Sequence, residues 1–100
     1  MTDYVYILKD PGTDTVRYVG RTRVPERRER LHQAGRGYPG NEALTAWEKA
    51  AKNAGKPVEF EVIASITTTK PLYGNIAGRF AEEFWIEYFR RVGAKLFNRT

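Results

Sequence analysis

Two short runs of aromatic and β-branched residues, Tyr4-Val5-Tyr6-Ile7-Leu8-Lys9 and Thr15 through Gly20, stand on either side of Asp10-Pro11-Gly12. Proline and glycine in tandem punctuate regular structure, and runs of this composition favour an extended, pleated backbone. The spacing predicts a β-hairpin. Side chains alternate along a strand, so Tyr4, Tyr6 and Leu8 share one face of the first run, and Val16, Tyr18 and Gly20 share one face of the second. Tyr6 and Tyr18 are then expected near each other across the pair, lining one pocket.

Downstream, Pro25-Glu26 places a proline and an acid in a first helical turn, and Gly35 ends that helix. Arg28 and His32, four apart, share a face of it. A glycine-rich loop follows at 35–40, and Asn41 is the expected cap of a second helix running through Ala54 and closed by Gly55. Residues 58–66 begin with alternating apolar and polar positions and predict a third strand. A last helix is expected over 76–92, with Ala77, Phe80, Ala81, Phe84, Trp85, Tyr88 and Phe89 forming a wide apolar stripe against the core. Glu82 lies at the border of that stripe. A chain of 100 residues supports one core and not two. The expectation is a single α+β domain over 1–100, a small three-stranded antiparallel sheet flanked by helices in the order β-β-α-α-β-α.

Lysine and arginine number 17 against 12 acidic residues, a net charge of +5. Five arginines fall between Arg21 and Arg30, so the excess is local, as a footprint for a polyanion would be. Arg21, Arg23, Arg27 and Arg30 are the candidate nucleic-acid contacts, since guanidinium groups bind phosphate bidentately. With no cysteine, disulfides, thiolate metal sites and cysteine nucleophiles are excluded. The chain has neither a signal-peptide pattern nor an apolar window of membrane-span length. A cytoplasmic protein, associated with the nucleoid during action, is expected.

Tyr4-Val5-Tyr6 and Tyr18-Val19-Gly20 are followed by Arg28, His32, the string Glu82-Glu83-Phe84-Trp85-Ile86 and Asn98. This ordered set resembles the GIY-YIG nuclease superfamily, and is most similar to its homing-endonuclease-like branch, in which the glutamate also precedes a Trp-Ile pair. The sequence departs from the pattern at Tyr4, where glycine is usual, and at Arg21, where a small residue is common.

The resemblance implies a DNA endonuclease that hydrolyses phosphodiesters by water attack, leaving a 5′-phosphate and a 3′-hydroxyl. It implies Glu82 as ligand of one Mg2+, with Mn2+ as a substitute, and Tyr6, Tyr18, Arg28, His32, Glu82 and Asn98 as the catalytic set. The residue types suit those roles. A single carboxylate with waters and substrate phosphate is a normal magnesium site. Arg28 would balance charge on the scissile phosphate. A phenol has a pKa near about 10, so a tyrosine base must be shifted down by Arg28, by the metal or by hydrogen bonding to its anion. Tyr18 is slightly preferred over Tyr6 for that role because it precedes the arginine-bearing helix. His32 would relay a proton or hold a phosphate, and Asn98 would position a strand or a phosphate. The alternative function is a non-catalytic nucleic-acid-binding module of the same fold. DNA is favoured over RNA because the sequence carries no RNA-binding signature with exposed stacking aromatics. Stand-alone action is expected to be weakly sequence-selective, or directed to branched or distorted DNA, or steered by a homodimer or a targeting partner.

Overall fold

A computed structural model describes residues 1–99; Thr100, the last residue of the expected domain, lies outside them. The elements are β1 (Thr2–Lys9), β2 (Val16–Thr22), α1 (Pro25–Gln33), α2 (Glu42–Asn53), β3 (Glu59–Thr67) and α3 (Pro71–Arg91). All three strands are antiparallel in one sheet of order β2-β1-β3, which is the predicted α+β arrangement. The apolar β1 run takes the centre, where both edges of a strand are hydrogen-bonded. Among the described residues no helix is long and apolar enough to cross a membrane.

Alternation along β1 divides the core in two. Val5 and Ile7 join Val16, Val19 and Ile86 on one face, against α3. Tyr6 and Leu8 join Tyr18, Leu44 and Val58 on the other, against α2. Burying a side chain such as Leu8 or Leu44 contributes about 1.5–3 kcal/mol. Val16 therefore lies opposite Tyr18 and not beside it as strict alternation predicts. The reason is a bulge. Leu8 pairs with Tyr18 but Lys9 pairs with Val16, so Arg17 is an extra residue that reverses the face of everything before it.

Local chemistry sets the helix ends. Pro25 occupies the first turn of α1, and Gly35 at φ +75° ends it, with Arg36 N–H donating to Leu31 O at 2.8 Å. Asn41 caps α2 by accepting from Leu44 N–H at 3.2 Å. The last helix begins at Pro71, five residues before the predicted start. Pro71 is the opening residue, where its fixed φ suits a helix and its missing N–H costs nothing.

The apolar stripe of α3 is rotated from its predicted position. Ile86 is buried and Ala81, Trp85 and Phe89 pack on the core, but Phe80 and Phe84 are 66% and 61% exposed, and Tyr88 is also exposed. Gly78 lies on the face of α3 turned to the sheet. A Cβ there would press on Arg21 and Asp3, so its absence lets the helix approach the sheet along the Gly78–Glu82–Ile86 line. Exposed aromatics are present on α3 at Phe80, Phe84 and Tyr88 and in the 35–40 loop at Tyr38.

The segment after α3 runs back along β2. Phe97 N–H donates to Arg17 O at 2.7 Å, and Arg17 Nε donates to Lys95 O at 3.1 Å. Asn98 completes the contact, its Oδ1 accepting from Val19 N–H at 2.9 Å and its Nδ2 donating to Val19 O at 2.7 Å. A carboxamide thus stands in for a neighbouring strand and covers an otherwise open edge.

Candidate active site

The sheet register brings the two phenols together. Tyr6 pairs with Gly20 and Leu8 with Tyr18, so Tyr6 and Tyr18 are diagonal neighbours with ring centroids 6.3 Å apart. A Cβ at Gly20 would overlap the Tyr6 phenol, so glycine directly across the pair is what allows that ring its position. This is a close-approach role and needs no unusual backbone angle.

Tyr6 and Tyr18 line a cavity of about 230 Å³ together with Arg21, Arg28, Tyr38 and Glu82. These six residues come from both hairpin strands, α1, the 35–40 loop and α3. A larger concavity of about 630 Å³ lies beside α2, between Gly35, Pro39 and Lys49, without a comparable set of groups. Four of the six predicted catalytic residues therefore converge on the small cavity. His32 lies directly behind it, and Asn98 is held on the Val19 backbone, the strand-positioning option of the two foreseen for it.

Arg28 projects from α1, where Nη1 donates to Gly37 O at 2.6 Å and ties the glycine-rich loop to the helix. His32, one turn further, is fully buried. Its Nε2 lies 2.7 Å from the Tyr6 hydroxyl, and its Nδ1 is hydrogen-bonded to the Glu48 carboxylate. A Cβ at Gly37 would overlap the imidazole, so the loop closes over His32 only with glycine there.

Burial dominates the electrostatics of the phenols. Tyr6 is pushed well above the ordinary phenol range by burial and then by Tyr18, against a smaller downward pull from Arg28. Burial, followed by Glu82 and Tyr38, pushes Tyr18 up as well, again opposed by Arg28. The requirement for a lowered phenol pKa is not met by Arg28 at either position. Both tyrosines are neutral hydroxyls at physiological pH, and the phenol hydrogen-bonded to the imidazole is Tyr6, not the favoured Tyr18.

Glu82 is half-buried, and burial raises its pKa from the ordinary carboxylate value while Arg21 pulls it down. Arg21 Nε lies 3.8 Å from Glu82 Oε1, and Arg21 Nη1 donates to Asn75 O at 3.1 Å. Arg23 pairs with buried Asp3 at 3.3 Å. Arg27 and Arg30 are exposed on α1. Of the four expected nucleic-acid contacts, Arg21 alone lines the cavity.

Among the described residues no group of three or more His, Cys, Asp or Glu side chains could hold a metal ion. The donor set at the cavity is one carboxylate, which fits a hydrated divalent cation taking its other ligands from water and a substrate phosphate, and fits no all-protein cage.

Two residues of the site escaped the sequence reading. Tyr38, in the glycine-rich loop, has its ring 6.3 Å from Tyr18. Glu48 carried the clearer signal, since it sits one turn after Leu44 in the register of Trp47 and Ala51, an acid where α2 needs an apolar residue.

Comparison with protein-family models, with curated proteins and with solved structures returned no match. The resemblance to the nuclease superfamily rests on the residues themselves.

Proposed function

We propose that this protein is a metal-dependent endonuclease of the GIY-YIG type, acting on DNA in the cytoplasm. The observation that carries the reading is the convergence of Tyr6, Tyr18, Arg28 and Glu82 on one cavity from four separate elements, with His32 bonded to Tyr6. A phenol pair, a guanidinium and a carboxylate around one open space are the groups that phosphodiester hydrolysis calls for.

Phosphodiester hydrolysis needs a water stripped of a proton, charge balance at phosphorus and a stabilised leaving oxygen. Arg28 binds a non-bridging phosphate oxygen with the part of its guanidinium not engaged at Gly37 O, a bond that restrains the side chain. Tyr6 accepts the proton of the attacking water as its own hydroxyl proton passes to His32 Nε2, so the phenol is never required to exist as a free anion. Tyr18 orients the water or the phosphate beside it. Glu82 would hold Mg2+, or Mn2+ in its place, which as a Lewis acid supplies charge stabilisation at the phosphate and the leaving 3′ oxygen. The products are a 5′-phosphate and a 3′-hydroxyl.

Glu82→Ala separates hydrolysis from binding. Under this reading the variant loses nicking of supercoiled plasmid while its DNA affinity, measured by gel shift, holds or rises, because a carboxylate near phosphate has been removed. Retained cleavage by Glu82→Ala would overturn the role of Glu82.

A further inference from the structure

We propose that Glu48 is a positioning residue that holds His32 in its Nδ1–H tautomer and so leaves Nε2 bare to accept the Tyr6 proton. The consequence for catalysis rests on the nuclease reading above, whereas the tautomer itself does not.

A neutral imidazole has one donor nitrogen and one acceptor nitrogen, and each ring nitrogen of His32 has one partner. An ionised carboxylate only accepts, so the ring proton belongs on Nδ1, facing Glu48. Nε2 is then a lone pair directed at the Tyr6 hydroxyl, which becomes the donor. With the opposite tautomer, the Nδ1 lone pair would face carboxylate oxygen across a contact with no room for water.

Glu48 is fully buried on α2, and its Oε1 has no hydrogen-bond partner among the described residues. An aliphatic side chain at this position would continue the Leu44–Ala51 face of α2 with no polar atom to satisfy. A buried carboxylate with one oxygen unpaired is explained by what the other oxygen does. The groups around His32 complete the assignment: Tyr6 from β1, Tyr18 from β2 at a ring distance of 5.8 Å, Gly37 from the loop, and Arg28 one turn earlier on α1. Glu48 is the carboxylate hydrogen-bonded to the ring, and it balances the imidazolium charge when the proton arrives.

The proton account closes. Water oxygen bonds to phosphorus as its O–H bond breaks toward Tyr6 Oη, while the Tyr6 O–H bond breaks toward Nε2. Nδ1 keeps its proton throughout. The P–O3′ bond breaks, and the leaving oxygen takes a proton from solvent. After product departs, Nε2 returns its proton to Tyr6 Oη, and the Tyr6 hydroxyl releases its other proton to water.

His32 is the one histidine of the chain, so a long-range 1H–15N correlation spectrum of the 15N-labelled protein reads its tautomer without assignment. The expected spectrum shows a protonated Nδ1 and a bare Nε2. Glu48→Gln is expected to populate the Nε2–H tautomer and to lower single-turnover DNA cleavage by roughly 10²–10⁴-fold with DNA affinity unchanged. A protonated Nε2 in the unmodified protein overturns the proposal whether or not the variant folds. An unchanged tautomer and rate in a folded Glu48→Gln protein overturns it too. The expected tautomer with its loss in Glu48→Gln, in a protein that cuts no DNA, supports the positioning role and removes the nuclease reading instead.

Discussion

The Tyr6 hydroxyl lies 2.7 Å from His32 Nε2, both groups buried, at the back of a cavity that also holds Tyr18, Arg28 and Glu82. A phenol whose pKa is raised by burial is a poor base alone, but one joined to an imidazole can pass one proton on as it takes up another. This relation distinguishes two tyrosines that look equivalent in sequence.

Tyr6→Phe should therefore reduce single-turnover DNA cleavage by roughly 10²–10⁴-fold, the usual contribution of a positioned acid–base group. Tyr18→Phe keeps the Tyr6–His32 hydrogen bond and should lose about tenfold or less. Rapid-quench rates of the two variants at saturating Mg2+ provide the comparison. A larger loss in Tyr18→Phe would reverse the assignment.

Asn98 should affect stability before chemistry. Its side chain makes two hydrogen bonds to the backbone of Val19, next to Tyr18, and each contributes about 0.5–1.5 kcal/mol. Asn98→Ala is expected to lower the urea unfolding free energy by about 1–3 kcal/mol, leaving a Val19 N–H and C=O to find water. An unchanged unfolding midpoint would mean that the segment after α3 does not hold β2.

Alkaline pH should destabilise the fold through the buried phenols. Both folded-state pKa values lie above the unfolded value of about 10, so above that pH the unfolded chain releases protons that the folded chain keeps. The stability present below the unfolded pKa is lost as pH rises, by about 1.4 kcal/mol per pH unit for each phenol. Lys9, raised by its hydrogen bond to Glu61, acts in the same direction. The difference in slope between the unmodified protein and Tyr6→Phe isolates Tyr6. Thermal melts from about pH 8 to 11 should show the variant losing stability less steeply, and parallel curves would contradict the burial argument.

The parts of this structure legible in sequence are those set by short-range periodicity and punctuation. The hairpin, the pairing of Tyr6 near Tyr18, the caps at Gly35, Asn41 and Gly55, and the element order follow from alternation and turn chemistry. Arg17 shows where that reasoning ends: nothing in a strand-like run marks which residue is the bulge, yet the bulge decides the face of Val16. The α3 stripe is only partly buried because its seven apolar positions span more of a helix than one sheet face covers: Ala81, Trp85 and Phe89 pack on the core while Phe80, Phe84 and Tyr88 face outward. The candidate site residues Tyr6, Tyr18, Arg28 and Glu82 are legible through their order in the chain. Glu48 is marked in sequence only as an acid in an apolar register, and its role depends on an imidazole 16 positions away that the loop at Gly37 folds over.

Whether this cavity hydrolyses DNA is decided most directly by incubating supercoiled plasmid with the purified protein in Mg2+ and, in parallel, in excess chelator. Conversion to nicked circles in Mg2+ alone, with nicks that DNA ligase reseals because they carry 5′-phosphate and 3′-hydroxyl, is the predicted result. Plasmid left intact at every Mg2+ and Mn2+ concentration, with salt-sensitive binding still present, would contradict the account and leave a nucleic-acid-binding module in its place.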